Sequence, residues 1–227
     1  MSATQEYGRA FSLWRSSCHA DWEAYCGHQF VTSLGDGTLP RRAFLHYLVQ
    51  DYIFLKHFSR AWGLAIAKAD SLAEMSACAT TVNLLLNQEM QLHEGICAAE
   101  GITEQLAIAE EAPANLAYTR FVLDAGYSGD FTDLLAALAP CVLGYGEIGA
   151  RLARTATSGT YADWIATYAG SDYQEGCHEV GALIDNALTS RFGERFETLP
   201  IWQQLSGRFT TATRLEVGFW DMGLAGA

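Results

Sequence analysis

Apolar residues recur every three or four positions along much of this 227-residue chain, the spacing of a single helix face. Leu134, Leu138, Cys141, Tyr145, Ile148 and Leu152 mark one such face. Phe44, Tyr47, Leu48, Leu55, Phe58 and Trp62 mark a second, and Leu205, Phe209, Phe219 and Trp220 a third. No strand-like alternation persists over a useful length, and no hairpin signal stands out. The pattern predicts a turn at Leu34 to Leu39, then a helix over residues 40 to about 68. Ser71, with Glu74 three positions on, carries a capping-box signature. It opens a helix to about residue 100, stopped by Gly101. Further helices are predicted near 113–126, from Asp130 or Thr132 through Cys141 to about 155, near 160–168 and 172–190, and from about 200 to 220. Pro40, Pro113, Pro140 and Pro200 each sit where a helix could begin, the position proline tolerates best. Without repeats, low-complexity tracts or linkers, residues 1–227 are expected to form a single all-α domain, larger than a simple four-helix bundle.

Two carboxylates interrupt these apolar faces: Asp51 on the second and Glu216 on the third. An ionised carboxylate on a buried face is costly unless it is paired or hydrogen-bonded. Together with the Cys141 thiol beside Tyr145, they point to one polar pocket inside a helical protein. A thiol becomes a useful nucleophile when a base or a positive environment activates it. A partly buried glutamate of raised pKa would shuttle its protons. An aspartate in an apolar pocket would anchor a basic heteroaromatic ring, which aromatic side chains would stack and tyrosine hydroxyls orient. Periodicity alone leaves the alternative of a packed cysteine and structurally paired acids.

Composition narrows the classes of function. Half of the residues are hydrophobic and 12% aromatic, enough for a sizeable core. The formal net charge of −12 argues against non-specific nucleic-acid binding, which rests on Lys and Arg neutralising phosphates. The six cysteines, Cys18, Cys26, Cys78, Cys97, Cys141 and Cys177, contain no CxxC pair to suggest a structural zinc site. Residues 1–12 lack the basic start and apolar run of a secretory leader, so the cysteines are expected to be reduced thiols in a cytoplasmic protein. No apolar stretch approaches the ~18 residues that would span a bilayer, so no membrane partner is expected.

Several motifs carry less than they first offer. Gly144, Gly146 and Gly149 match GxGxxG, but a dinucleotide site needs a preceding strand and this run is helical. The glycines instead allow close approach of a neighbouring helix or a ligand. Glu175 and His178 form one ExxH pair, where a di-iron site needs two plus further carboxylates. His46 and His57 flank Asp51, and His93 sits beside Glu89 and Glu94. Each is read as a hydrogen-bonded helix residue rather than a metal or haem ligand. An i,i+4 salt bridge to Arg151 accounts for Glu147.

The order and spacing of a set of short runs are similar to those of the TenA family, also called thiaminase II or aminopyrimidine aminohydrolase. The runs are His28-Gln29-Phe30-Val31, Gly35-Asp36-Gly37-Thr38-Leu39-Pro40, Phe44, Tyr47-Leu48 and Gln50-Asp51-Tyr52. They continue with Asn115 and Ala117-Tyr118-Thr119, Pro140-Cys141, Tyr145, Glu147-Ile148-Gly149, Trp164-Ile165, Tyr168, Glu216 and Phe219-Trp220-Asp221-Met222. The resemblance covers essentially the whole chain. It implies a haem-oxygenase-like helical fold without haem or other cofactor, usually assembled as a homotetramer. It implies hydrolysis of a small-molecule pyrimidine, an aminopyrimidine with an aminomethyl side chain or thiamine itself, to the hydroxymethyl pyrimidine used in thiamine synthesis. By the same resemblance Cys141 adds to the ring, Asp51 hydrogen-bonds the ring nitrogen and amino group, and Glu216 moves protons for leaving group and water. Tyr118, Tyr145 and Tyr168 line the pocket and Phe219 packs on the ring. Phe54 stands where the family commonly has tyrosine, keeping the shape and losing a hydroxyl. Two other classes of function compete: a non-catalytic pyrimidine- or cofactor-binding protein on the same scaffold, and a regulator. The lack of a basic helix-turn-helix and the net charge weigh against direct DNA contact by the latter.

Overall fold

The three apolar faces converge in the computed structural model, which describes residues 6–226. Residues 1–5, part of the N-terminal stretch read for a leader, lie outside the described residues. Three short helices open the chain: α1 (Arg9–Ser17), α2 (His19–Cys26) and α3 (Gln29–Asp36). The long α4 (Arg41–Lys68) follows, then α5 (Leu72–Leu84), a π-turn (Leu85–Glu89) and α6 (Met90–Ala99). After α7 (Thr103–Ile108) come α8 (Pro113–Ser128), α9 (Phe131–Thr155), α10 (Ala162–Ala169), α11 (Ser171–Phe192) and α12 (Pro200–Ala225). No strand occurs among the described residues.

Helix α9 is the axis. Every residue from 131 to 146 is buried, because α4, α8, α10, α11 and α12 all pack around it. Its start is set by Asp130, one of the two residues offered by the sequence. The Asp130 carboxylate accepts from the backbone N–H groups of Thr132 and Asp133, and the Asp133 carboxylate accepts from the Asp130 N–H. Asp133 in turn accepts from Arg208 on α12 at 2.5 Å. Helix α9 is also the one helix among the described residues long and apolar enough to cross a membrane, contrary to the expectation of none. However, 94% of its most apolar window is buried inside the protein. The buried apolar side chains form one continuous core that includes Trp14, Trp22, Trp62, Trp164 and Trp220. Truncating one such tryptophan to alanine costs about 3–5 kcal/mol through lost burial and the cavity left behind.

Four local expectations change. Pro140 does not start a helix; it lies inside α9. Its missing N–H leaves the Ala136 carbonyl without its usual donor, and burial of the helix on all sides outweighs that loss. The turn expected at Leu34 begins only at Gly37, which adopts φ 79°, a left-handed conformation suited to glycine. Its neighbours Leu34, Gly35 and Asp36 close α3. The helix expected from Ser71 to residue 100 is interrupted by the π-turn. Glu147 meets Arg15 of α1 at 3.0 Å rather than Arg151, and Arg151 donates to the Cys26 carbonyl. The GxGxxG glycines do admit neighbours: a Cβ at Gly149 would lie 2.5 Å from the Tyr168 backbone, and one at Gly144 would strike the Tyr25 ring.

Candidate functional site

Six segments bring polar side chains to one buried centre. Helix α4 presents Tyr47, Asp51 and Phe54 at helical spacing, and α12 presents Glu216 and Phe219. Helix α9 supplies Cys141 and Tyr145, α8 supplies Tyr118 and α10 supplies Tyr168. All eight residues named from the sequence are buried, and their contacts link them into one cluster. The Tyr118 hydroxyl donates to Glu216 Oε1 at 2.8 Å. The charge of the same carboxyl group acts on the buried Cys141 thiol. The Tyr47 hydroxyl lies 2.9 Å from Asp51 Oδ2 and 3.3 Å from the Tyr145 hydroxyl. Phe54 packs on Tyr118 and Phe219 with ring centroids 4.9 and 5.5 Å away. Tyr145 and Tyr168 meet at 5.0 Å.

The sixth segment was not read as part of the site. His93 Nε2 lies 2.8 Å from Asp51 Oδ2, and His93 Nδ1 lies 2.7 Å from the Glu89 carbonyl oxygen. Glu89 Oε1 accepts from the Tyr168 hydroxyl at 2.8 Å. Reading His93 as a hydrogen-bonded helix residue was correct, but its partner is the site aspartate. The signal was in the spacing. Leu85, Glu89, His93 and Cys97 are all buried at successive four-residue steps. In a regular α-helix each such step drifts about 40° around the axis, so a sustained run needs an overwide turn. The π-turn supplies it, as π-bulges often do near functional sites. His46 and His57 stay outside the centre; His57 lies 3.9 Å from Glu111.

Proton positions follow from geometry. A carbonyl oxygen only accepts, so His93 Nδ1 carries hydrogen. The short contact from Nε2 to Asp51 then needs one further proton, shared by the pair. Burial lowers the His93 pKa, but the hydrogen bond and charge of Asp51, with the charge of Glu89, outweigh it and the net shift is upward. Burial, reinforced by Asp51, pushes Glu89 up to about 7. Burial likewise pushes Glu216 up to about 8, with Asp51 reinforcing the rise and Tyr118 and Cys141 opposing it. The Cys141 thiol is held well above its usual range by burial and by the charges of Glu216, Glu89 and Asp51. Glu216 is the foremost charge acting on the thiol, which makes it the candidate base.

None of the six cysteines is disulfide-bonded, and all are buried. Among the described residues, no group of three His, Cys, Asp or Glu side chains is placed to hold a metal ion. Glu175 and His178 are exposed on α11.

A buried thiol, an acid whose charge acts on it and a second acid paired with histidine, inside an all-helical core, form the kind of reactive cluster found in enzyme sites. Relatives agree. The sequence model of the TENA/THI-4/PQQC family matches residues 15–226. An aminopyrimidine aminohydrolase of Halalkalibacterium halodurans is 34% identical over 208 residues, 88% of this chain and 89% of that one. The aminopyrimidine aminohydrolase of Bacillus subtilis is 30% identical over 212 residues, 92% and 86% of the two chains. A crystal structure from Silicibacter sp. TM1040, described as a TenA family transcription regulator, shares 60% identity and a TM-score of 0.95 over 96% of this chain and 97% of its own. The chain belongs to the TENA/THI-4/PQQC family, and it is an enzyme.

Proposed function

We propose that this enzyme hydrolyses aminopyrimidines through a covalent adduct on Cys141. The reading rests on the buried Cys141 thiol, on which the charge of Glu216 acts, with that carboxyl group held by the Tyr118 hydroxyl at 2.8 Å. Tyr47 and His93 both meet Asp51 at Oδ2, and among the described residues no donor meets Oδ1. The free oxygen suits the amino group of a pyrimidine, and Phe219, Phe54 and the tyrosines offer faces for its ring.

In this mechanism Glu216, as carboxylate, takes the thiol proton while Sγ bonds to a ring carbon. A ring nitrogen takes the proton shared by Asp51 and His93. The exocyclic carbon–nitrogen bond breaks, and the departing amine takes its electron pair and the proton held by Glu216. Water adds to the exocyclic carbon and gives a proton to Glu216. The carbon–sulfur bond then breaks, Glu216 returns a proton to sulfur, and the ring proton returns to the Asp51–His93 pair. The net change is replacement of amine by hydroxyl. Tyr118 orients Glu216, while Tyr145 and Tyr168 hold the far wall.

Product mass is the direct test. Wild type incubated with the aminomethyl aminopyrimidine, and separately with thiamine, is expected to release the hydroxymethyl pyrimidine. Absence of that product from folded protein with both substrates rejects the hydrolase reading.

We also read residues 1–227 as one domain, supported by the continuous core. We propose a cytoplasmic homotetramer: all six cysteines are unpaired thiols, and exposed Leu72, Ile108 and Tyr127 offer apolar surface to further copies. Light scattering on the eluted protein tests the assembly. Direct DNA contact has no place in this reading, given a net charge of −12.

A further inference from the structure

Glu89 touches the catalytic centre twice and takes no step in the mechanism above. Its carbonyl oxygen holds His93 Nδ1 at 2.7 Å, and its carboxyl oxygen Oε1 accepts from the Tyr168 hydroxyl at 2.8 Å. The residue is only 8% exposed, and among the described residues no donor meets Oε2. A buried carboxyl group with an oxygen left over ionises only where water can reach it. The setting provides for that. Glu89 lines a cavity of about 320 Å³ between the π-turn, α9 and the elbow joining α10 to α11, with Gln88, Ser171 and Asp172 exposed around it. A cavity of that size with polar groups on its wall has room for several waters. The carboxyl group thus stands between a solvent-fed cavity and Tyr168 of the catalytic pocket.

Asp51 of α4 and His93 of α6, the pair that shares a proton, are the ionic groups inside the cluster that act on Glu89. Tyr168 of α10, Tyr173 and Cys177 of α11 and Cys141 of α9 are phenols and thiols whose protons burial holds in place. Asp172 is solvated at the rim. A negative charge on Glu89 is therefore little screened from the His93 ring, and it favours the protonated imidazole. We propose that Glu89 is a positioning residue for the hydrolysis: its carboxylate tethers Tyr168 and, through its charge, keeps the shared proton on the Asp51–His93 pair until a ring nitrogen of the substrate takes it. The inference rests on the hydrolase reading above. The same charge acts on Cys141, where it opposes ionisation of the thiol. Removing it eases that ionisation, so a loss of turnover on neutralising Glu89 traces to the Asp51–His93 proton and not to the nucleophile.

Glu89→Gln keeps an acceptor for Tyr168 and removes the charge, while Glu89→Asp keeps the charge. The full chain, labelled with nitrogen-15 histidine, is titrated by NMR, and the signal missing from His93→Gln identifies the ring. The expected result is a His93 midpoint at lower pH in Glu89→Gln than in wild type, and close to wild type in Glu89→Asp. At about pH 8, kcat for the aminomethyl aminopyrimidine should fall about tenfold in Glu89→Gln with KM within about threefold, and recover in Glu89→Asp. Glu89→Met takes the place of the glutamine variant if that one does not melt cooperatively. An unmoved His93 midpoint in the folded, charge-free variant overturns the proposal even where kcat falls, because loss of the Tyr168 tether would then account for the whole effect. A moved midpoint with unchanged kcat overturns it as well. Both of those results leave the hydrolase reading standing. Wild type that forms no product from either substrate removes the hydrolase reading and this role together.

Discussion

His93 Nε2 sits 2.8 Å from Asp51 Oδ2, across 42 positions of sequence. The other ring nitrogen is clamped to the Glu89 carbonyl, so the imidazole has one orientation and the aspartate one neighbour of adjustable charge. His93→Gln removes the shared proton and leaves the Glu89 carbonyl and Asp51 short of a partner. Expected losses are at least tenfold in kcat/KM and about 1–3 kcal/mol in stability. Denaturant melts and steady-state kinetics, with the pH profile of the variant against wild type, measure both. A stability loss with an unchanged pH profile would reduce His93 to packing.

Cys141→Ser keeps the volume and a hydrogen-bond donor toward Glu216, so the fold is expected to survive within about 1.5 kcal/mol. Product formation should fall at least a hundredfold, because an alcohol is a far weaker nucleophile at this pH. Mass analysis of products and of any trapped adduct distinguishes the variant from wild type.

Glu216 acts first as a base, so its ionised form is the active one. With its pKa raised to about 8, kcat/KM should climb as pH rises from about 6 and level off above about 8. Glu216→Gln should lose activity at every pH and show no such limb. A profile falling across that range in wild type would contradict the assignment.

The same shifts act on stability with the opposite sign. Glu89 and Glu216 keep protons in the folded state, with pKa values of about 7 and about 8, that the unfolded chain releases near its ordinary value of 4.5. Their stabilising contribution is complete below that ordinary value and is lost as pH rises through the folded values. The wild-type melting temperature should therefore fall between about pH 5 and pH 8 more steeply than that of the Glu89→Gln/Glu216→Gln double variant. Calorimetry across that range checks the difference in slope.

Phe54 packs between Tyr118 and Phe219 without a hydroxyl. Phe54→Tyr keeps the ring and adds a donor, as in the common family pattern. It is expected to raise kcat/KM for the aminomethyl compound severalfold with little change in melting temperature. Parallel assays of both proteins, with thiamine as the second substrate, show whether the hydroxyl alters turnover or preference.

Periodicity was sufficient to read the fold class from α4 onward, because the long helices carry apolar residues at helical spacing, and α9, buried all round, still keeps that spacing. Asp51, Cys141 and Glu216 were legible for the same reason: each is a reactive group where the pattern demands an inert one. The resemblance then supplied roles that spacing alone left open. Other features depend on neighbours distant in sequence. Pro140 sits inside α9 because surrounding helices bury it, a balance that no local rule for proline contains. Glu147 pairs with Arg15 of α1, not Arg151, and Arg151 instead donates to the Cys26 carbonyl at the end of α2. The π-turn at Leu85–Glu89 lies just before His93, and only packing of α6 against α4 makes His93 the partner of Asp51, while Glu89 meets Tyr168 of α10. Sequence determined which chemical groups the helices carry and which face each one buries. Tertiary structure decided which of those groups share a proton, because that depends on distances of about 3 Å between elements and the chain's periodicity encodes none of them.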